Sequence, residues 1–303
     1  MNLKTVTSLI LLGMIWGSSF LFQRITVPVI GAGVTASGRV VLAALALLAL
    51  VIATGRQVNF RARWRNYVAL GFFSAGVPFL LFAYAAHYLP AGYSAVLNAT
   101  VPMFTVLLGW LAGPRPSASK LAGVVVGLVG VATLVRFGTV ALSWATVAAF
   151  IGLLVASLMY AIGARMARER FAGVDPLVMA CGSMLGALLP QLPFAVATAP
   201  TVLPSLGVVA ALVVLGVVCT GLAYAIFYQL IRDAGSEKAV TVTLIVPIFA
   251  QIWGALFLGE AITWASALGC ALVLFAVALI FERVPGLKPR AIVPAVLCDS
   301  KAA

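Results

Sequence analysis

Two spaced sets of polar residues in this 303-residue chain could do chemistry. Ser94, Asn98, Pro102 and Thr105 recur near i, i+4, i+8 and i+11, and Thr243, Pro247 and Gln251 recur at i, i+4 and i+8. Each set therefore lines one face of a helix. Both lie in long apolar runs, where amides and hydroxyls can hydrogen-bond a neutral or zwitterionic solute. A proline in mid-helix also frees a backbone carbonyl, which a neighbour or a cavity must satisfy. The competing reading of these residues is hydrogen bonding between helices.

A second group is aromatic. Trp16, Ser19 and Gln23 fall at i, i+3 and i+7, and Tyr224 and Tyr228 at i and i+4, while Tyr84, His87 and Tyr160 stand on other runs. Rings with a polar tip suit a pocket that holds an apolar side chain and releases it, although near span ends Trp and Tyr serve as interface anchors. His87, the one histidine, has a side chain that ordinarily titrates near pH 6.5, yet a lone His at a boundary is more often a hydrogen-bonded structural residue. All these positions are candidates for substrate binding and none for catalysis. An intramembrane enzyme would need a nucleophile with its base, or gathered acids, and no such set is visible. No cofactor or metal is expected. Cys181, Cys219, Cys270 and Cys298 lack metal or redox spacing and read as small packing residues.

The elements that must position these residues follow from composition. The chain is 64% hydrophobic and 9% charged, with a mean hydropathy of +1.18, far from soluble domains at about 25% charged. This excludes a soluble catalytic or nucleic-acid-binding domain. A span needs about 20 mostly apolar residues, and ten candidate spans can be drawn, at approximately 4–26, 34–54, 67–88, 92–112, 119–136, 142–164, 174–196, 205–230, 237–258 and 264–282. The net charge of +12 is scattered between the spans and forms no stripe for nucleic acid.

Positive residues concentrate in cytoplasmic loops, so their distribution gives an orientation. With the N-terminus inside, the inner segments hold Lys4, then Arg56, Arg61, Arg63 and Arg65, then Arg115 and Lys120, then Arg165, Arg168 and Arg170, then Arg232 and Lys238, and last Arg283, Lys288, Arg290 and Lys301. Arg24, Arg39 and Arg136 fall at or near outer ends or within a span. Both termini are expected in the cytoplasm.

The chain also repeats. Offset by 145 residues, Gly76, Phe82, Val101, Pro102, Phe104 and Gly109 coincide with Gly221, Phe227, Val246, Pro247, Phe249 and Gly254. A unit of five spans is odd, so tandem copies enter the membrane with opposite orientations. Such inverted repeats are common in secondary transporters, whose sites lie near the midplane. The expected fold is an all-α membrane protein of ten transmembrane helices in two inverted five-helix repeats, residues 1–138 and 139–284, followed by a short basic tail, 285–303. Gly123-x-x-x-Gly127 and Gly182-x-x-x-Gly186 either pack the bundle or form a dimer contact.

Specific motifs add a resemblance. Trp16-Gly17-Ser18-Ser19-Phe20 resembles the start of EamA-type members of the drug/metabolite transporter superfamily. The stretch from Ala234-Gly235-Ser236 through Pro247 to Leu258-Gly259-Glu260 resembles that family's ninth helix, with its mid-span proline and terminal acid. Within the superfamily the chain is most similar to YddG-type exporters of aromatic and other amino acids. The resemblance implies a basket-like bundle whose central cavity is lined by helices 1, 3, 4, 6, 8 and 9 and which works by alternating access. One departure stands out: many relatives carry a Glu at the end of the fourth helix, where this chain has Gly113-Pro114-Arg115.

All seven acids, Glu169, Asp175, Asp233, Glu237, Glu260, Glu282 and Asp299, fall in loops, span ends or the tail. Proton-coupled pumps typically place such groups in the pathway, so a relay of buried carboxylates is not expected. A cavity without fixed charge would match neutral or zwitterionic solutes. The expectation is a bacterial inner-membrane exporter of neutral amino acids such as Thr, Met or aromatics, or of related metabolites. It would have a small-molecule substrate and the bilayer as partners, no nucleic acid, and a monomeric or weakly dimeric state. An exporter of drugs, nucleosides or other metabolites is the alternative.

Overall fold

The computed structural model describes residues 3–281 except 114, 139, 142, 198–202 and 235–240. Expectations about Gly235, Ser236, Glu237, Glu282, Cys298, Asp299 and the tail therefore lie outside the described residues. Among the described residues every regular element is helical. In chain order they are α1 (3–30), α2 (32–53), α3 (Phe60–Ala85), α4 (Ala91–Leu111), α5 (Ala118–Phe137), α6 (Trp144–Arg170), α7 (Pro176–Ala197), α8 (206–234), α9 (Val242–Leu258) and α10 (Trp264–Ile280). These correspond one to one with the ten expected spans.

The expected loop between the first two spans is compressed to one residue. The helical run Leu3–Ala53 is continuous except at Gly31, whose φ of 79° and ψ of 161° suit only a residue without Cβ. Contacts along α8 show that the chain reverses there. Residues Gly38, Leu42 and Ala46 of α2 lie by Leu212, Gly216 and Gly221 in the same order, whereas α1 runs against α8, with Ser18 at Cys219, Trp16 at Tyr224 and Phe227, and Ser8 near Gln229.

Helix starts carry the side chains that physics demands. The first N–H groups of a helix lack intrahelical acceptors. Ser117 accepts from the Lys120 amide at α5 (3.4 Å), Ser143 from Thr146 at α6 (3.1 Å) and Thr263 from Ser266 at α10 (3.2 Å), while the Asp175 carboxylate accepts from Leu177 at α7 (2.9 Å). Large apolar side chains such as Leu45, Val125, Leu128, Ile151 and Leu189 remain exposed on the outside of the bundle, as lipid-facing surfaces must be.

Glycines set the closest helix pairs. A Cβ on Gly123 would meet the Ala276 carbonyl at 2.7 Å and one on Gly130 the Gly269 carbonyl at 3.0 Å, which locks α5 to α10. Gly182 and Gly186 lie directly against Tyr67, which brings α7 onto α3. Both small-residue patterns thus face partners in the same chain, and packing accounts for them.

Candidate functional site

Four helices depart from regular winding, and they do so in matched pairs. In α3 the segment Phe72–Gly76 is π-helical, and in α8 the segment Val214–Leu222 is likewise. In α4 the helix stops at Asn98 and restarts at Val101, with Pro102 as the second residue of the new piece. In α9 a 3₁₀ turn, Thr241–Leu244, precedes a restart at Val246, with Pro247 second. A proline lacks the N–H that an interior position needs but tolerates a first turn, so each break falls just before it. Wide π turns recur at functional sites.

Carbonyls loosened by these breaks are satisfied from across the bundle. Gln191 of α7 donates to Ala75 (3.2 Å) and Gly76 (2.8 Å), and the Tyr224 hydroxyl donates to the Ser74 carbonyl at 3.2 Å. Thr220 donates to Leu215, one π turn back, at 2.8 Å. At the α4 break the Leu97 carbonyl accepts from Ser157 of α6 (3.0 Å) and from Thr100 (2.6 Å). Beside it, Asn98 Oδ1 is buried and has no donor among the described residues.

The aromatic candidates gather at one level of the bundle. Trp16 of α1 lies 6.1 Å from Tyr224 and 5.0 Å from Phe227, centroid to centroid, and Tyr224 lies 5.8 Å from Tyr228. On the α3 side Phe82 lies 5.7 Å from Phe20 and 6.0 Å from Tyr160.

Against this layer sits a residue that the sequence reading passed over, Arg39 of α2. It is 6% exposed, its Nε donates to the Thr220 hydroxyl at 2.6 Å, and its guanidinium lies over the Phe79 ring at 3.8 Å. Tyr160, Cys219 and Tyr224 lie near enough to act electrostatically on its charge. The expectation of a centre without fixed charge is therefore corrected: it holds a cation. Burying such a charge costs several kcal/mol. A cation–π contact offsets roughly 2 kcal/mol when desolvated, and one charge-assisted hydrogen bond about 1.5–3 kcal/mol. Among the described residues the ion pairs are Arg24–Glu260, Arg56–Asp175 and Arg165–Glu169, so no carboxylate neutralises Arg39. The clue in the sequence was an arginine inside an apolar run, by itself a pointer to function. Its depth could not be placed until the single-residue break at Gly31 located the start of α2.

Other candidates are dispersed. Ser19 and Gln23 are buried near Trp16, where they donate to α1 carbonyls, Ser19 to Trp16 at 2.7 Å and Gln23 to Ser19 at 3.2 Å. Pro102 and Pro247 are buried at their breaks, and Thr243 is half-buried in the 3₁₀ turn. Thr105, expected on the inner face of α4, is exposed and donates to Val101 at 3.1 Å, because the break at residues 99–100 rotates the face that follows. Gln251 packs against Gly92 and hydrogen-bonds Cys270, which places it between α4, α9 and α10. Tyr84 faces Tyr88 at 5.1 Å, and His87 is exposed in the turn after α3. Partial desolvation of the ring against the turn first, then the nearby Arg24 charge, lower the His87 imidazole from its usual titration range.

The two ends of the bundle differ. At the end away from the N-terminus, Glu260 pairs with Arg24 at 3.2 Å and accepts from the Ala91 amide that begins α4 (2.9 and 3.2 Å), while Arg24 also donates to the Ala86 carbonyl at 2.6 Å. This ties α1, the α3–α4 turn, α4 and the end of α9 together. At the N-terminal end a cleft of about 650 Å³ opens between α1, α2, α7 and α8, lined by Thr5, Ser8, Thr54, Arg56, Asp175 and Gln229 among others. Small-molecule pockets typically span roughly 300–1,000 Å³. Ala225 and Ile226 also line the cleft, next to Tyr224 and five residues from Thr220, roughly 7.5 Å along a helix.

Ten apolar helices, irregular in matched places around a buried aromatic and polar centre, define a membrane-embedded solute transporter. The chain belongs to the EamA-like transporter family, which matches residues 3–136 and again 140–282. It is 27% identical over 278 residues to an uncharacterized transporter of Archaeoglobus fulgidus, covering 89% of this chain and 94% of that one. It is 26% identical to the uncharacterized inner membrane transporter YedA of Escherichia coli, covering 90% and 89%. A probable terminal-alkyne amino-acid exporter of Streptantibioticus cattleyicolor is 26% identical over 299 residues, covering 96% and 98%. A solved crystal structure shares the fold, with a TM-score of 0.67 at 20% identity over 92% of this chain and 96% of that one.

Proposed function

We propose that the protein exports neutral amino acids, or closely related metabolites, across a bacterial inner membrane by alternating access. The observation that carries the reading is the Trp16, Tyr160, Tyr224 and Tyr228 layer, which lies between a cleft lined by Ala225 and Ile226, next in sequence to Tyr224, and the tie of Arg24, Glu260 and Ala91 at the other end. Aromatic faces hold an apolar side chain, and hydroxyl tips and freed carbonyls meet polar groups. The Streptantibioticus cattleyicolor relative, a probable terminal-alkyne amino-acid exporter, points the same way.

In this reading both termini are cytoplasmic, as the distribution of Lys and Arg favours, and the cleft faces the cytoplasm, where an exporter collects its cargo. The halves 1–138 and 139–284 act as inverted repeats that rock about the centre. Trp16, Tyr160, Tyr224 and Tyr228 contact the solute, with Ser19, Asn98 and Thr243 nearby and Pro102 and Pro247 as hinge positions. Gln23, Tyr84, His87 and Gln251 support the surrounding packing and the closed end. The described acids, Glu169, Asp175, Asp233 and Glu260, lie at helix ends or in loops, which favours uniport or a coupling that uses no relay of carboxylates at mid-membrane.

Proteoliposomes containing the full chain should release or accumulate labelled Thr, Met or aromatic amino acids. Absence of flux for every member of a broad amino-acid panel, alongside flux of a nucleoside or a cationic drug, would replace this reading with the alternative exporter class.

A further inference from the structure

We propose that Arg39 is the receptor for a carboxylate on the transported solute, which makes the cargo a small carboxylate-bearing molecule whose apolar part lies on the Trp16, Tyr224 and Phe227 rings. The proposal deepens the amino-acid reading and rests on it.

Three features of the geometry converge on this role. First, Arg39 is a buried cation without a counter-ion among the described residues, and charged side chains are almost never fully buried unless paired. Second, its fork is already oriented. Thr220 accepts from Nε, and the Phe79 ring holds the guanidinium face at 3.8 Å, while among the described residues no protein acceptor takes the two terminal amino groups. Those groups form the edge that matches a carboxylate in two parallel hydrogen bonds.

Third, the surroundings suit the rest of an α-amino acid. Tyr160 and Tyr224, the neighbours of Arg39, belong to the aromatic layer. One helical turn from Tyr160, Ser157 bonds Leu97 at the α4 break, where the buried Asn98 Oδ1 lacks a donor. An orphaned acceptor is the complement of an ammonium group, and Asn98 would take that role once the α4 break opens to the solute.

Proteoliposomes of the full chain, loaded with labelled Thr, Met or Phe, are challenged with the unlabelled amino acid, its carboxamide and its decarboxylated amine. The amino acid should compete and both analogues should be about tenfold weaker or more, since a charge-assisted contact is lost. Arg39→Gln should raise the half-saturating concentration by a similar factor, with Arg39→Lys between. Equal competition by the carboxamide overturns the proposal and leaves amino-acid export standing, without recourse to a variant that might fail to fold. If no amino acid moves, thermal unfolding of wild type and Arg39→Gln with propionate and phenylacetate decides. A shift in wild type alone keeps the carboxylate site and removes the amino-acid reading, and no shift in either removes both.

Discussion

In the first half of the chain the helical winding is disturbed at Phe72–Gly76 and again just before Val101. In the second it is disturbed at Val214–Leu222 and just before Val246. At an offset of 145 these are the same places, marked by Gly76 and Gly221 and by Pro102 and Pro247. The side chains around them are not the same. Thr220 and Tyr224 of α8 stand where α3 has Ala75 and Phe79, and Glu260 stands where the first half has Arg115. The two halves share their backbone breaks and differ in the side chains around them. Backbone irregularity depends on small residues and proline, which both copies retain, whereas the side chains around the breaks are free to differ between the copies. Arg39 expresses this most directly: Phe79 from one half and Thr220 from the other meet at one guanidinium.

The comparison breaks first at Glu260 and Arg115. Glu260→Ala strips an acceptor from the Ala91 amide and from Arg24, whose side chain is 30% exposed against 14% for Glu260. Losing a partner for a partly buried donor costs about 1–3 kcal/mol, and the exposure of Arg24 keeps the expected loss near 2 kcal/mol. Arg115→Ala removes an exposed side chain and should stay within about 0.5 kcal/mol. Thermal unfolding of the two purified variants measures the difference, and equal losses would mean that the first half carries a matching tie.

Gly109 and Gly254 sharpen the same contrast. A Cβ on Gly254 would meet Glu260 Oε2 at 2.5 Å, whereas one on Gly109 meets nothing within 4 Å. Gly254→Ala should therefore displace the Glu260 carboxylate and lower stability by about 1 kcal/mol, part of what Glu260→Ala loses. Gly109→Ala should be neutral or gain up to about 1 kcal/mol from helix propensity. A double variant, Gly254→Ala with Glu260→Ala, should lose no more than Glu260→Ala alone, because both act on one contact.

Much of this architecture was legible before any coordinates. Spans are written in apolar runs because a bilayer tolerates little else, and the breaks at Pro102 and Pro247 were legible because proline cannot continue the backbone ladder. The aromatic layer was visible as Trp16, Tyr160, Tyr224 and Tyr228. The wide turns in α3 and α8 were not, since winding depends on which partner accepts the loosened carbonyls, and Gln191 does so from more than 100 residues away. Gln251 kept its helical phase with Pro247 yet packs beside Cys270, because spacing reports a shared face and not what that face meets. Thr105 lost its phase at a break whose rotation no periodicity encodes.

A finer contrast lies in Gly76 and Gly221, the matched glycines of the two wide turns. A Cβ on Gly76 would press on Pro190 Cγ at 2.8 Å, a stiff ring with little room to yield, while one on Gly221 would meet Ala46 Cβ at 3.4 Å, an ordinary contact. Gly76→Ala should cost about 1 kcal/mol by overpacking and Gly221→Ala close to nothing, read as the midpoints of thermal unfolding. Reversed order would mean that the α8 turn is the tighter of the two.

The smallest effect is in pH. Burial raises the Glu260 carboxyl above the usual carboxylate value of 4.5, and the Ala91 amide and Arg24 only partly oppose it. The folded protein therefore holds this proton more tightly than the unfolded chain does. The contribution of Glu260 to stability is fully present below pH 4.5, declines as pH rises through its folded value, and is constant above. Glu260→Gln retains an acceptor for Ala91 but cannot titrate. The stability of wild type relative to Glu260→Gln should then fall from acid toward neutral pH and level off, leaving the amide variant within about 0.5 kcal/mol of wild type at pH 7, far closer than Glu260→Ala. A relative stability that instead rose with pH would make the charge of Glu260, not its acceptor oxygens, the group that ties α9 to α4.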